Sequence, residues 1–302
     1  PPGQPGASAE VRGPDGMPLA VSRVMLLVAY DGSGFCGFAP QPERRTVGGV
    51  LAGTLAEMSG HAVALTCAGR TDAGVHAEGQ VVHADLFLES GAPTRQRLAG
   101  EGARGARAAR LARQLTAQLG PEIAVLESRL APIGFDARRS ALSRRYRYDI
   151  LTGAGADPLR SRLSWHVPGH LDLPAMRTAA DALVGVHDFS AFCKQPPRGS
   201  MTRRVVDAVF RGGLGDDGRV LRFEIEANAF CHHMVRSLVG TLVAVGAGRT
   251  TAAALLGLLR TGDRRAAARS SKPAPPQGLV LSEVRYPKEL VGSPEGIWRS
   301  PR

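Results

Sequence analysis

Residues 62–88 read AVALTCAGRTDAGVHAEGQVVHADLFL, two apolar, β-branched arms around the compact loop GRTDAGVHAEG. Arms of that composition are strands, and a centre of Gly, Ala, Thr and Asp is a turn, so the stretch is predicted as strand, loop, strand. The pattern stops at the small-residue run ESGAP (89–93). Upstream, VMLLVAY (24–30) is a buried strand by length and composition, ended by Asp31 and Gly32. Thr46 can then cap a helix in which Val47, Val50, Leu51, Leu55 and Met58 share one face.

Downstream, residues 94–119 read as a helix carrying Arg104, Arg107, Arg110 and Arg113 in a slanted stripe, either a solvated face or a phosphate contact. RRSALSRRYRY (138–148) packs five arginines and two tyrosines into eleven residues and runs into the strand-like YDIL. Arginine neutralises phosphate while rings stack on bases, so this interleaving suits nucleic acid. A helix follows over 173–184, then GVHDFSAFC, then a hairpin. In its second strand Leu221, Phe223, Ile225 and Ala227 face one way and Arg222, Glu224 and Glu226 the other. The next strong helix, 232–245, is apolar apart from Arg236. Strand, helix, strands, followed by strand, helix, strands, helix, predicts an α+β fold of two similar halves with antiparallel sheet rather than a doubly wound parallel sheet. The divisions are a disordered tail over 1–20, an N-terminal half over 21–140 with the loop, a C-terminal half over 141–288, and a flexible tail over 289–302.

Lys and Arg number 38 and Asp and Glu 27 among 302 residues, a formal charge of +11 that asks for a polyanionic partner. Four cysteines, Cys36, Cys67, Cys193 and Cys231, stand singly with no C-x-x-C, which excludes a zinc ribbon and a small disulfide scaffold and fits a reducing, cytoplasmic compartment. No apolar run is long enough to span a bilayer, and the N-terminus has neither the basic nor the apolar part of a secretion signal.

Three motifs fail on context. GSGFCG (32–37) matches G-x-G-x-x-G, but Pro40 and Pro42 forbid the helix that a dinucleotide site needs there. His76-Ala77-Glu78 resembles half of a zinc deaminase signature whose P-C-x-x-C half is missing. His232-His233 invites a metal, but neighbours on a helix diverge by about 100°. The informative pair is Asp72 and Arg236. Asp72 alone would be a turn aspartate. A guanidinium in an otherwise apolar helix must reach solvent or meet an anion, however, and with that partner in an arginine-rich setting Asp72 reads as a functional carboxylate.

At these residues the chain resembles the tRNA pseudouridine synthase A family. AGRTDAGVHAEGQVVH (68–83) is similar to the family signature, SRRYRY (143–148) to its second motif, and GVHDFSAF (185–192), ANAFCHHMVRSLVGTLVAVG (227–246) and PPQGLVL (275–281) to further segments, in family order. Departures fall at Phe38, Ala39, Arg139, Val280 and Gln118-Leu119-Gly120. The resemblance implies isomerisation of uridine to pseudouridine in the anticodon arm of tRNA, on the 3′ side of stem and loop, in a cleft between the halves. It implies no metal or other cofactor, and a homodimer sharing one tRNA. It makes Asp72 catalytic, places Tyr146 against the uracil, and has Arg236 hold Asp72 ionised. Arg70 would fill the vacated stack or bind a phosphate, and Arg138, Arg144 and Arg145 would contact RNA. The alternative is a non-catalytic tRNA-binding protein or RNA chaperone of the same fold, against which the intact R-T-D loop with Tyr146 and Arg236 argues.

Overall fold

The computed structural model describes residues 21–88, 100–194, 199–215 and 217–299. The tail expected over 1–20 lies outside the described residues. Ten strands among them build one sheet: β1 Ser22–Tyr30, β2 Leu65–Cys67, β3 His76–Leu86, β4 Ile123–Leu130, β5 Ser143–Thr152, β6 Trp165–Val167, β7 Gly185–Asp188, β8 Thr202–Leu214, β9 Val220–Ala227 and β10 Leu279–Arg285. The order is β4-β1-β3-β10-β5-β9-β8-β7, with β2 added to β3 and β6 to β5. Pairs are antiparallel except β10 with β3 and β6 with β5. The α+β reading with antiparallel sheet therefore holds. The halves at 21–140 and 141–288 share one sheet, and its centre is β10, which comes from the end of the second half and touches the first.

The helices are α1 Val47–Ser59, α2 Gly100–Leu119, α3 Leu173–Asp181, α4 Met234–Gly246, α5 Ala252–Thr261, α6 Arg264–Ser270 and α7 Lys288–Val291. Thr46 caps α1 by accepting from the Gly49 N–H at 3.2 Å. Ala108, Ala112, Leu115 and Leu119 form the buried face of α2, which packs on β4. Arg110 and Arg113 are exposed, whereas Arg107 is partly buried and donates to the Leu88 carbonyl. α3 lies between β8 and α4, and α4 is buried almost throughout.

Alternation on β5 sorts its two faces. Arg144, Tyr146, Tyr148 and Ile150 are buried on one side, while Arg145, Arg147 and Asp149 point to the other. There they meet opposite charges directly across the ladder, Arg145 facing Glu226, Arg147 facing Glu224 and Asp149 facing Arg222. Arg145 Nη2 lies 2.7 Å from Glu226, with Glu224, Asp207 and Glu283 within 3.9 Å of the same guanidinium.

The flexible tail expected over 289–302 is corrected as far as residue 299. Val291, Ile297 and Trp298 are buried, Arg129 donates to the Val291 carbonyl at 2.8 Å, and its guanidinium lies 4.6 Å over the Trp298 ring. Apolar anchors at those three positions supply the burial that a Gly/Pro/Ser composition conceals. Cys193 and Cys231, 38 residues apart in the chain, are brought side by side with their Cα atoms 5.7 Å apart, which single spacing in a sequence cannot reveal.

Candidate active site

The loop between β2 and β3 is tied from every side. The Ala68 N–H donates to Val81 O at 2.8 Å, and the Gln80 side chain donates to Gly69 O at 2.6 Å. Thr71 Oγ1 and the Tyr30 hydroxyl are 2.8 Å apart, and Thr71 O accepts from the Phe38 N–H at 3.1 Å. Two glycines of the GSGFCG segment explain its composition. A Cβ on Gly32 would sit 2.0 Å from Val75 O, and one on Gly37, where φ is +92°, 2.8 Å from Thr71 O. These glycines let the loop lie directly on the backbone beneath it, the tight-turn role that remains once a nucleotide site is excluded.

Arg144 completes the strap. Its guanidinium donates to Ala68 O at 3.0 and 2.7 Å, to Arg138 O at 2.7 Å, to Asn228 O at 2.9 Å and to Ala141 O at 3.3 Å, and the residue is only 8% exposed. Every contact is to a backbone carbonyl, so Arg144 holds the loop onto β5 rather than offering a surface charge. Arg145 points to the opposite face, among its carboxylates. Of the three arginines read as RNA contacts, Arg138 alone is exposed at the cleft.

What this framework positions is the Asp72 carboxylate, at the floor of a cleft of about 840 Å³. Arg236 Nη1 is 3.7 Å from Asp72 Oδ2, and its Nε donates to Ala274 O at 2.7 Å. The one cation of α4 thus meets an anion, as an arginine on an apolar helix requires. Tyr146 lines the same cleft with its ring edge-to-face on Phe230, centroids 5.1 Å apart. Burial pushes the Tyr146 hydroxyl far above the ordinary tyrosine range, the neighbouring Asp72 charge adds to this, and Arg144 opposes it. Tyr146 therefore meets a substrate as a phenol. Arg70 is exposed at the rim, with Arg44, Arg138, Lys194 and Arg203 around the same opening. Among the described lining residues Asp72 is the one carboxylate. Arg104, Arg107, Arg110 and Arg113 do not line it.

Two histidines join the site against the expectation from helical divergence. α4 begins at Met234, so His232 and His233 precede it, and His233 has a left-handed backbone with φ 68°. That conformation sets the rings side by side, centroids 4.2 Å apart, with His232 Nε2 3.3 Å from Asp72 Oδ1 and His233 Nε2 3.7 Å from Oδ2. Burial lowers the His233 imidazole from its ordinary range, Asp72 pulls it back, and His232, Arg236 and Lys194 push it down further. Two adjacent histidines at a helix start, with a residue free to turn left-handed, were the available signal.

A family model described as tRNA pseudouridine synthase matches residues 179–287. The protein named tRNA pseudouridine synthase A from Leifsonia xyli subsp. xyli is 45% identical over 275 residues, covering 88% of this chain and 92% of that protein. Proteins of the same name from Frankia casuarinae and Halalkalibacterium halodurans are 43% and 40% identical, covering 88% and 86% of this chain and 90% and 91% of theirs. Among solved structures, one titled as a Cbf5-Nop10-Gar1 complex aligns with 73% of this chain and 45% of its own at 15% identity and a TM-score of 0.30, too loose a likeness to build on. Identity of that depth across nearly the whole length of its relatives, in a chain whose signature loop is strapped so that one carboxylate faces a basic cleft, means that the protein belongs to the tRNA pseudouridine synthase A family.

Proposed function

We propose that this chain isomerises uridine to pseudouridine in the anticodon arm of tRNA, on the 3′ side of its stem and loop. The observation that carries the reading is the Asp72 carboxylate, the one among the described lining residues, held by Arg236 beneath an opening ringed with arginine. A glycosidase needs two carboxylates, one to protonate the leaving group and one to activate water. Isomerisation activates no water, and one carboxylate suffices. The N1–C1′ bond breaks, the uracil turns, C5 bonds to C1′, and the proton lost from C5 is matched by one gained at N1. The exchange balances within one nucleotide, without an oxidant or reductant.

The target base has to leave its stack first. Arg70 at the rim is placed to fill the gap or hold a phosphate, while Arg44, Arg138 and Arg203 supply sequence-independent attraction. Inside, Asp72 attacks C1′ or the ring, or removes a sugar proton. Tyr146 stacks on the uracil and, as a phenol, offers a hydroxyl for proton relay at C5. Arg236, 3.7 Å from its Oδ2, keeps the Asp72 carboxylate aimed. The family resemblance supports a homodimer sharing one tRNA, and tRNA as substrate supports a cytoplasmic setting; among the described residues no helix is long and apolar enough to cross a membrane. Incubation with unmodified tRNA transcripts followed by pseudouridine mapping tests the reading: new pseudouridine in the anticodon arm is expected, and none at any position would reject it.

A further inference from the structure

Asp72, His232 and His233 present one carboxylate oxygen and two imidazole nitrogens, all within 4.8 Å of one another. We infer that these three side chains form a binding site for a borderline divalent cation, zinc foremost, and that filling it withholds Asp72 from the nucleotide.

The side chains stand within a short rotation of the spacing that ion needs. Zinc bound at about 2.0–2.1 Å by nitrogen and oxygen in tetrahedral geometry separates its ligand atoms by about 3.3 Å. His232 Nε2 lies 3.3 Å from Asp72 Oδ1 and His233 Nε2 3.7 Å from the other carboxylate oxygen, with one donor atom from each of the three within 4.8 Å of the others, a set somewhat wider than a closed tetrahedron. Small ring rotations close such a set on one ion and leave a fourth position open to the cleft. The backbone is already prepared, since the left-handed turn at His233 is what makes the two rings converge. His232 is exposed, so the ion has a direct entry path. Two imidazoles select zinc, cobalt or nickel over magnesium, which prefers an all-oxygen shell and would accompany any tRNA. Arg236 opposes a cation on Oδ2 but leaves Oδ1 available, and with Lys194 near His233 it weakens rather than forbids the site.

Binding stands on the side chains alone, while the blocking half rests on the function proposed above. The test titrates the whole protein with zinc in chelator-buffered solution and with cobalt, whose visible absorption reports tetrahedral nitrogen and oxygen ligands. One ion per chain is expected, weakened more than about tenfold in His232→Ala and in His233→Asn, the latter chosen because Asn tolerates a left-handed backbone. Magnesium should not compete. Pseudouridine formation should fall with free zinc at the binding midpoint and return on adding EDTA. No binding in the micromolar range, or equal binding in both variants, overturns the site. Binding without loss of activity overturns the blocking role. Zinc binding by a protein that never modifies tRNA would uphold the site and reject the function.

Discussion

Asp72→Asn removes the only carboxylate facing the cleft among the described residues and is expected to lower pseudouridine formation roughly 10⁴-fold or more while tRNA affinity stays within a few-fold, because affinity comes from arginine spread around the rim. Single-turnover assays beside filter binding check this; near-normal turnover would remove Asp72 from the chemistry. Tyr146→Phe keeps the stacking ring and loses the hydroxyl, so a decrease of about 10²–10⁴-fold with unchanged binding is expected, and a full-rate variant would leave Tyr146 a platform only. Arg144→Leu carries a different expectation, since it would leave four carbonyls without their donor: a loss of about 2–4 kcal/mol in urea unfolding, and slower turnover as the loop loosens. At this scale the meeting of Asp72 with Arg236 was legible, because an arginine on an apolar helix demands an anion and a signature loop offers one. Arg144 and Arg145 were not. A run of arginines looks like one basic patch, yet strand alternation sends neighbours to opposite faces, one into backbone carbonyls and the other into a ladder of carboxylates.

Among the elements, the segment 32–37 is the one whose replacement should transmit furthest. Gly37→Ala forces a side chain toward Thr71 O from a backbone with positive φ, and a cost of about 2 kcal/mol is expected together with reduced kcat, although residue 37 itself need not touch RNA. Thermal melts and turnover of that variant check the claim; a variant with wild-type stability would show that the loop rides free of its support. Period-two alternation made β9 readable, and the cap at Thr46 did the same for α1. The start of α4 was misplaced by two residues, and that small error concealed the histidines, since the divergence argument applies only inside a helix. The place of β10 could not be read at all. PPQGLVL announces a strand, but its neighbours are chosen by contacts far away in sequence, which local patterning does not encode.

For the molecule as a whole, two measurements follow from its charges. The rim arginines predict that Arg70→Gln with Arg203→Gln makes log affinity for tRNA less steep against log salt, by roughly 0.7–0.9 per lost phosphate contact. An unchanged slope would place the RNA elsewhere. Stability should fall in two steps on acidification. His83 accepts the Ala137 N–H at Nδ1, 3.0 Å away, and burial lowers its imidazole; Arg23 lowers it further, against Asp136 and Asp85. The unfolded chain then takes up that proton first, and stability declines as pH drops below about 6.5. The carboxylates follow: a hydrogen bond from Arg23 lowers Asp85, while Glu226 is raised by burial but lowered more by Ser143, Arg145 and Arg285. Their contribution is present above about pH 4 and lost as pH falls through their folded values. Melting curves from neutral to acid, with His83→Gln expected to flatten the upper step, check the order; a melting temperature that rises from pH 7 toward 5 contradicts it. The central seat of β10 bears, finally, on the order of assembly. A ribosome has to deliver residues 279–285 before β3 and β5 gain the neighbour that joins them, so the nascent chain carries two open strand edges until that segment emerges. The loop bearing Asp72 and the strand bearing Tyr146 meet across that seam, and the enzyme therefore becomes competent only once residues 279–285 have emerged to fill it.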